Sequence, residues 1–255
     1  MKDITVIIPV HEFNKENETL LKNALNSVDS DTQIIISCNK EIEKDIVDNI
    51  EKFSTLVEVE SSNFQDLINE AVKQVNTKWF SILEFDDTYT PIWFNNVEKH
   101  MVNEPSVSVF MPLTDLIEYN EKKFIGYGNE AVWASSFSTE IGYIDNECLN
   151  NFFDFYLTGL VCNTNDWKEN GGLKKSIELT FWYEFLLRMT HLQKKIFVIP
   201  RIGYVHNLNR ADSLLKIYSE KFDEKTVQAY IDLAKQEQFF KNDRNKTIEN
   251  NEEGE

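Results

Sequence analysis

Three carboxylates, Glu84, Asp86 and Asp87, fall within four positions where the apolar run WFSILEF (residues 79–85) gives way to polar sequence. A carboxylate at the end of a buried strand costs stability unless something pairs it. In an extended strand Glu84 and Asp86 project from one face and Phe85 from the other. Two carboxylates on one face, with Asp87 adjacent, can share a hard divalent cation, Mn²⁺ or Mg²⁺. Such a cation binds a nucleotide diphosphate and neutralises charge on a departing group. The plainer alternative is local: Asp86-Asp87-Thr88 makes a turn and caps a helix after Pro91.

Other side chains carry chemistry less distinctively. His206, in a polar loop after an apolar strand, is either a ligand or an ordinary loop histidine. His11 follows the first strand and lines a pocket there or serves only its loop, while His100 and His191 fall on helices and read as structural. Arg201 and Arg210 offer guanidinium groups suited to phosphate oxygens, and Arg201 equally suits a surface acid. Trp133, Phe137, Tyr143, Phe152, Phe153, Phe155 and Tyr156 crowd the middle of the chain; core packing is the first reading and a platform for sugar rings the second.

The elements that position these residues follow from hydrophobic period. Residues 4–10 (ITVIIPV), 33–37, 55–59 and 79–85 read as buried strands. Between them, residues 20–28, 41–53 and 64–75 show helical spacing. This β-α-β-α-β-α-β order predicts a parallel sheet with helices on both faces and right-handed crossovers. Ligands in such sheets sit at the carboxyl ends of the strands, which are residues 11–14, 38–40, 61–63 and 86–88. Farther on, 91–101 reads as a helix, 107–112 as a strand, 113–160 as irregular, 178–191 as a buried helix and 195–200 as a last core strand. One domain over 1–220, a helical segment over 221–240 and a disordered acidic tail over 241–255 complete the expected organisation.

The 255 residues carry a formal net charge of −17, which argues against a phosphate-backbone or anionic-membrane partner. Cys38, Cys148 and Cys162 form no metal or disulfide pattern, and a reducing cytoplasm is the expected setting. No apolar run approaches the roughly 20 residues of a membrane span, and the first residues do not read as a signal peptide.

With these motifs in order, the sequence resembles family-2 glycosyltransferases of the GT-A fold, an α/β, Rossmann-like architecture with a mostly parallel central sheet flanked by helices. The segment ITVIIPVHEFNKENETLLKNALNSV is similar to their first strand, loop and helix. The resemblance implies that Pro9, Val10, His11 and Asn14 hold the nucleotide. Asn69 corresponds to an asparagine of the third helix, and Asn39 stands where the base and ribose bind. Glu84-Phe85-Asp86-Asp87 stands at the family's acidic metal motif, with His206 as a further ligand and Arg210 near the diphosphate. NTNDWKENGGL is similar to the acceptor-side loop, which assigns Gly171, Gly172 and Trp167 to that side. The implied partners are a nucleotide-diphosphate sugar and a carbohydrate or other hydroxyl acceptor.

This chain also departs from the pattern. The metal motif opens with glutamate, and Cys38-Asn39-Lys40 replaces the usual acidic residues after the second strand. Phe181 and Trp182 stand where a Glu-Asp pair is usual, leaving Glu178 or Glu184 as the base. The reading is therefore a metal-dependent inverting transferase. The alternative is a catalytically inactive domain serving as a binding or structural module in a larger assembly. A nucleotidyltransferase is disfavoured, because HEFNKENE lacks the glycine-rich basic loop that chemistry wants.

Overall fold

Seven consecutive buried residues, Ile4–Val10, form β1 at the centre of the N-terminal half. The computed structural model describes residues 3–51, 53–211 and 213–244. β2 (Gln33–Asn39), β3 (Thr55–Val59) and β4 (Trp79–Ile82) join β1 in the parallel order β3-β2-β1-β4. The connecting helices are α1 (Lys15–Asn26), α2 (Glu43–Asn49) and α3 (Phe64–Lys73). Branched apolar residues dominate β1 because both its faces are covered, and they divide between two core clusters.

The second half adds β5 (Thr88–Tyr89), α4 (Trp93–Asn103), β6 (Val107–Glu118), β7 (Lys123–Gly128), β8 (Tyr143–Ile144) and α5 (Asn146–Asn151). Then come β9 (Val161–Asn163), α6 (Thr164–Glu169), α7 (Phe181–His191), β10 (Lys195–Leu208), α8 (Leu214–Lys221) and α9 (Glu224–Glu237). The sheet continues β4-β9-β6-β10-β5, with β9 antiparallel to both neighbours, so the whole is a mixed sheet, parallel in its first half. The stretch 113–160 is less irregular than expected: it holds the end of β6, all of β7 and β8, and α5.

Two strands outrun their expected ends, and this matters for the site. Pro112 and Pro200 read as stops, yet β6 and β10 stay paired up to Glu118 and Leu208. The register shifts between Ile199 and Ile202 and again before Tyr204, and Pro200 lies in the first shift, where no ladder N–H is required of it. The extension of β10 carries His206 to the sheet edge.

Helix α9 is packed into the body of the protein: Tyr230, Ile231 and Ala234 are buried in one core cluster. The polar segment after it begins ordered. Asp243 accepts a hydrogen bond from the Ser176 N–H (2.9 Å), and Arg244 bonds Glu237 (2.9 Å through Nε). Of the tail expected over 241–255, positions 241–244 thus contact the body of the protein, and positions 245–255 lie outside the described residues. Among the described residues no helix is long and apolar enough to cross a membrane.

Candidate active site at the sheet edge

Strand β4 stops at Ile82, and the chain turns: the Asp87 N–H donates to the Glu84 carbonyl at 3.1 Å. The Tyr204 hydroxyl of β10 accepts from the Glu84 N–H at 3.0 Å and fixes the turn from the next layer of sequence. Because of the turn, Glu84 faces Asp87 and His206 rather than sharing a face with Asp86. Ligand atoms of Glu84, Asp87 and His206 all lie within 4.8 Å of one another. The Asp87 carboxylate is fully buried, 2.6 Å from His206 Nδ1, and accepts from the Asn207 N–H at 2.8 Å.

Asp86 looks the other way. Its carboxylate accepts from Arg210 Nε at 3.0 Å. Arg210 also reaches Asn17 Oδ1 (3.3 Å) and Glu12 (3.8 Å) and lies over the Phe85 ring, 5.0 Å from its centroid. Of the four residues expected at a cation, Glu84, Asp87 and His206 stand together, while Asp86 is turned to Arg210. The local alternative is half realised: 84–87 do form a turn, but α4 begins at Trp93 without a side-chain cap.

Three carboxylates this close leave surplus negative charge. Burial, with Asp87 adding to it, pushes Glu84 up to about 8. Burial and Asp87 also push Asp86 up to about 6, against the pull of Arg210. Burial works against charge on His206, but Asp87 and the other two acids outweigh it and raise His206 to about 9. Two carboxylates and, once its proton is displaced, an imidazole make a donor set that can take Mn²⁺ or Mg²⁺, and a cation there offsets the burial and repulsion that raise Glu84. The residues present therefore fit the metal.

Two recesses meet at Glu84, His206 and Phe64. One is narrow and runs past Pro9, His11 and Asp86 to Arg210 and Ser213. The other, about 240 Å³, is walled by Phe64, Phe155, Tyr156, Phe181, Trp182 and Tyr218, with Asp154 among its lining residues.

Several expected site residues have structural duties. Asn14 is the N-cap of α1, its Oδ1 accepting from the Glu16 and Asn17 N–H groups at 2.9 and 3.0 Å. Asn39 closes the turn after β2, bonding the Glu41 N–H and the Glu60 carbonyl. Val10 is fully buried in the core. Asn69 staples α3 to Leu173 through both its amide atoms (2.8 and 2.9 Å). Gly171 and Gly172 take positive φ (84° and 68°), and an added Cβ at Gly172 collides with Asn69.

Trp167 is buried against Phe80 and Phe185. Trp167, Gly171 and Gly172 line a separate recess with Asn69 and Leu173, apart from the two that meet at Glu84. Glu184 is fully buried and bonded twice to Arg188 (2.8 and 2.9 Å) and to Lys174 (3.0 Å), which removes it as a base. Glu178 lines neither recess and pairs with Lys221 at 2.8 Å. Asp154 is the acid that sequence reasoning passed over, hidden within the aromatic run NFFDFY.

The sequence matches no protein-family model and no curated protein. In fold the chain is similar to TarS of S. aureus. Against its residues 1–349 in complex with UDP the TM-score is 0.61 at 14% identity, covering 91% of this chain and 65% of that one. Against the complex with UDP-GlcNAc the TM-score is 0.59 at 14% identity, covering 94% and 72%. Against a longer TarS chain it is 0.59 at 15% identity, covering 81% of this chain and only 37% of that one. The expected α/β fold, a large central sheet flanked by helices, is therefore present and shared with TarS.

Proposed function

We propose that the chain transfers a sugar from a nucleoside-diphosphate donor to an acceptor hydroxyl, with Mn²⁺ or Mg²⁺ held by Glu84, Asp87 and His206. One observation carries the reading: these three side chains converge at the sheet edge where two recesses meet, in a fold shared with a protein seen with UDP and UDP-GlcNAc. When bound, the cation supplies positive charge against the diphosphate. The chain's own groups do the rest. The recess past Pro9, His11 and Arg210 takes the nucleotide side, and the aromatic recess takes the sugar and the acceptor. Arg210 keeps Asp86 turned toward the nucleotide side and away from the cation. In the transfer the acceptor oxygen bonds to the anomeric carbon as the carbon–phosphate-oxygen bond breaks. The nucleoside diphosphate leaves with the electron pair, and the hydroxyl proton passes to a base; attack opposite the leaving group inverts the centre.

A second reading, a catalytically inactive domain serving as a binding or assembly module, draws on the narrowness of the nucleotide-side recess and on Phe181 and Trp182 at the start of α7. Calorimetry with UDP, GDP and dTDP, with and without Mn²⁺, separates the two when paired with an assay of nucleotide-sugar turnover. The transferase reading expects Mn²⁺-dependent binding and turnover. It also expects Asp87→Ala to weaken binding by at least about 100-fold, the upper scale for disturbing even an outer-shell partner. Binding indifferent to Mn²⁺ and to Asp87→Ala would contradict it.

A further inference from the structure

We infer that Asp154 is the base that takes the acceptor's proton, an assignment that rests on the transferase reading above. Among the described residues lining the aromatic recess, the carboxylates are Glu84 and Asp154. Glu84 belongs to the cation cluster. Asp154 is exposed on the segment between α5 and β9. Among the described residues it has no hydrogen-bond or ion-pair partner, whereas Glu178 and Glu184 are both paired and lie outside the recess.

The backbone beside it is held. Asn129 accepts from the Tyr156 N–H (2.9 Å) and donates to the carbonyls of Tyr156 (2.8 Å) and Pro112 (2.9 Å), and Phe155 and Leu157 are buried. A carboxylate free to accept a proton is thus presented from an anchored segment. The other polar groups of the recess serve less well: His206 is bonded to Asp87, and burial raises the Tyr156 and Tyr218 hydroxyls above their ordinary range.

A donor whose diphosphate lies at Glu84, Asp87 and His206 directs its sugar into this recess, and the acceptor enters past Asp154. As the acceptor oxygen bonds to the anomeric carbon, its proton moves to an Asp154 Oδ and the nucleoside diphosphate departs with the bonding pair. Water serves the same role when no acceptor is present.

The test uses the full chain and its Asp154→Asn and Asp154→Glu variants. UDP-, GDP- and dTDP-hexoses with Mn²⁺ are assayed for turnover, and the corresponding diphosphates for binding by calorimetry. The expected result is turnover reduced by about 10²–10⁴-fold in Asp154→Asn with unchanged diphosphate affinity, partly restored in Asp154→Glu. Wild-type turnover rates in Asp154→Asn would overturn the assignment and leave the transferase reading standing. A wild-type chain that binds diphosphate but never turns over would also overturn it. A wild-type chain that neither binds nor turns over any of these donors would bring down the transferase reading and Asp154 with it.

Discussion

Two clusters of buried charge lie in this molecule, and they differ in whether the charges cancel. Against α7, Lys174, Glu184, Arg188 and Glu237 are all 1% exposed or less. Lys174 bridges Glu184 (3.0 Å) and Glu237 (3.4 Å), Arg188 takes both oxygens of Glu184, and Arg244 closes on Glu237. Arg188 also donates to the carbonyls of Asn170 and Gly172, which fixes the loop of positive-φ glycines. Burial opposes charge on Glu237, yet Arg244 and Lys174 hold it below the ordinary carboxylate value.

At the sheet edge three carboxylates share one histidine and one arginine, and Glu84 rises to about 8. The four buried groups of the first cluster balance, two cations against two acids, with Arg244 at the half-buried rim, and they leave nothing for a ligand to do. The second carries a surplus that a cation relieves, and perturbation of this kind marks a site more often than a scaffold.

The largest expected effect breaks the balanced cluster. Arg188→Met strands Glu184 without its main partner and is expected to cost about 3–5 kcal/mol. Calorimetric melting checks this, with a fall in Tm of roughly 10 °C for a chain of this size. Diphosphate affinity measured below the melting range stays unchanged if the two clusters are independent.

A second prediction sharpens the contrast through pH. Glu84 has a folded pKa of about 8 against an ordinary 4.5, and His206 about 9 against 6.5. The native state binds more protons than the unfolded one in these windows, so both contributions are present below the ordinary values and lost as pH rises. Urea unfolding without divalent cation is expected to show stability falling between about pH 5 and 9, by several kcal/mol at roughly 1.4 kcal/mol for each pH unit that a pKa moves. Excess Mg²⁺ flattens the slope. Glu237 acts with the opposite sign: its contribution is present above the ordinary carboxylate value and lost as pH falls through its lowered one. A metal-free slope that is flat from pH 5 to 9 would show that the edge cluster carries no surplus.

The smallest expected effect concerns Asn14. As an N-cap, its replacement by alanine costs about 1 kcal/mol and leaves diphosphate affinity untouched. A loss of affinity without loss of stability would restore it to the nucleotide site.

The parallel half of the fold was legible because its strands are short continuous apolar runs separated by helical spacing, the pattern of sheets covered on both faces. The extensions of β6 and β10 were not, since Pro112 and Pro200 read locally as ends. What keeps the strands going is pairing between segments far apart in sequence, with bulges that leave no local mark. In the site, the acidic motif is legible in the sequence but the direction of each carboxylate is not. Alternation puts Glu84 and Asp86 on one face, whereas β4 ends at Ile82 and a turn brings Asp87, not Asp86, to Glu84. The fate of Glu184 had a signal that was available: Arg188 stands four positions on, on a helix apolar on most sides, where an acid and a base are expected to pair.

Titration of the chain with Mn²⁺ followed by electron paramagnetic resonance decides whether Glu84, Asp87 and His206 hold a cation. One tightly bound ion is expected in the wild type and in Asp86→Asn, lost in Asp87→Ala and in Glu84→Gln. Retention of the ion in Asp87→Ala with loss in Asp86→Asn, or no bound ion in the wild type, would contradict it.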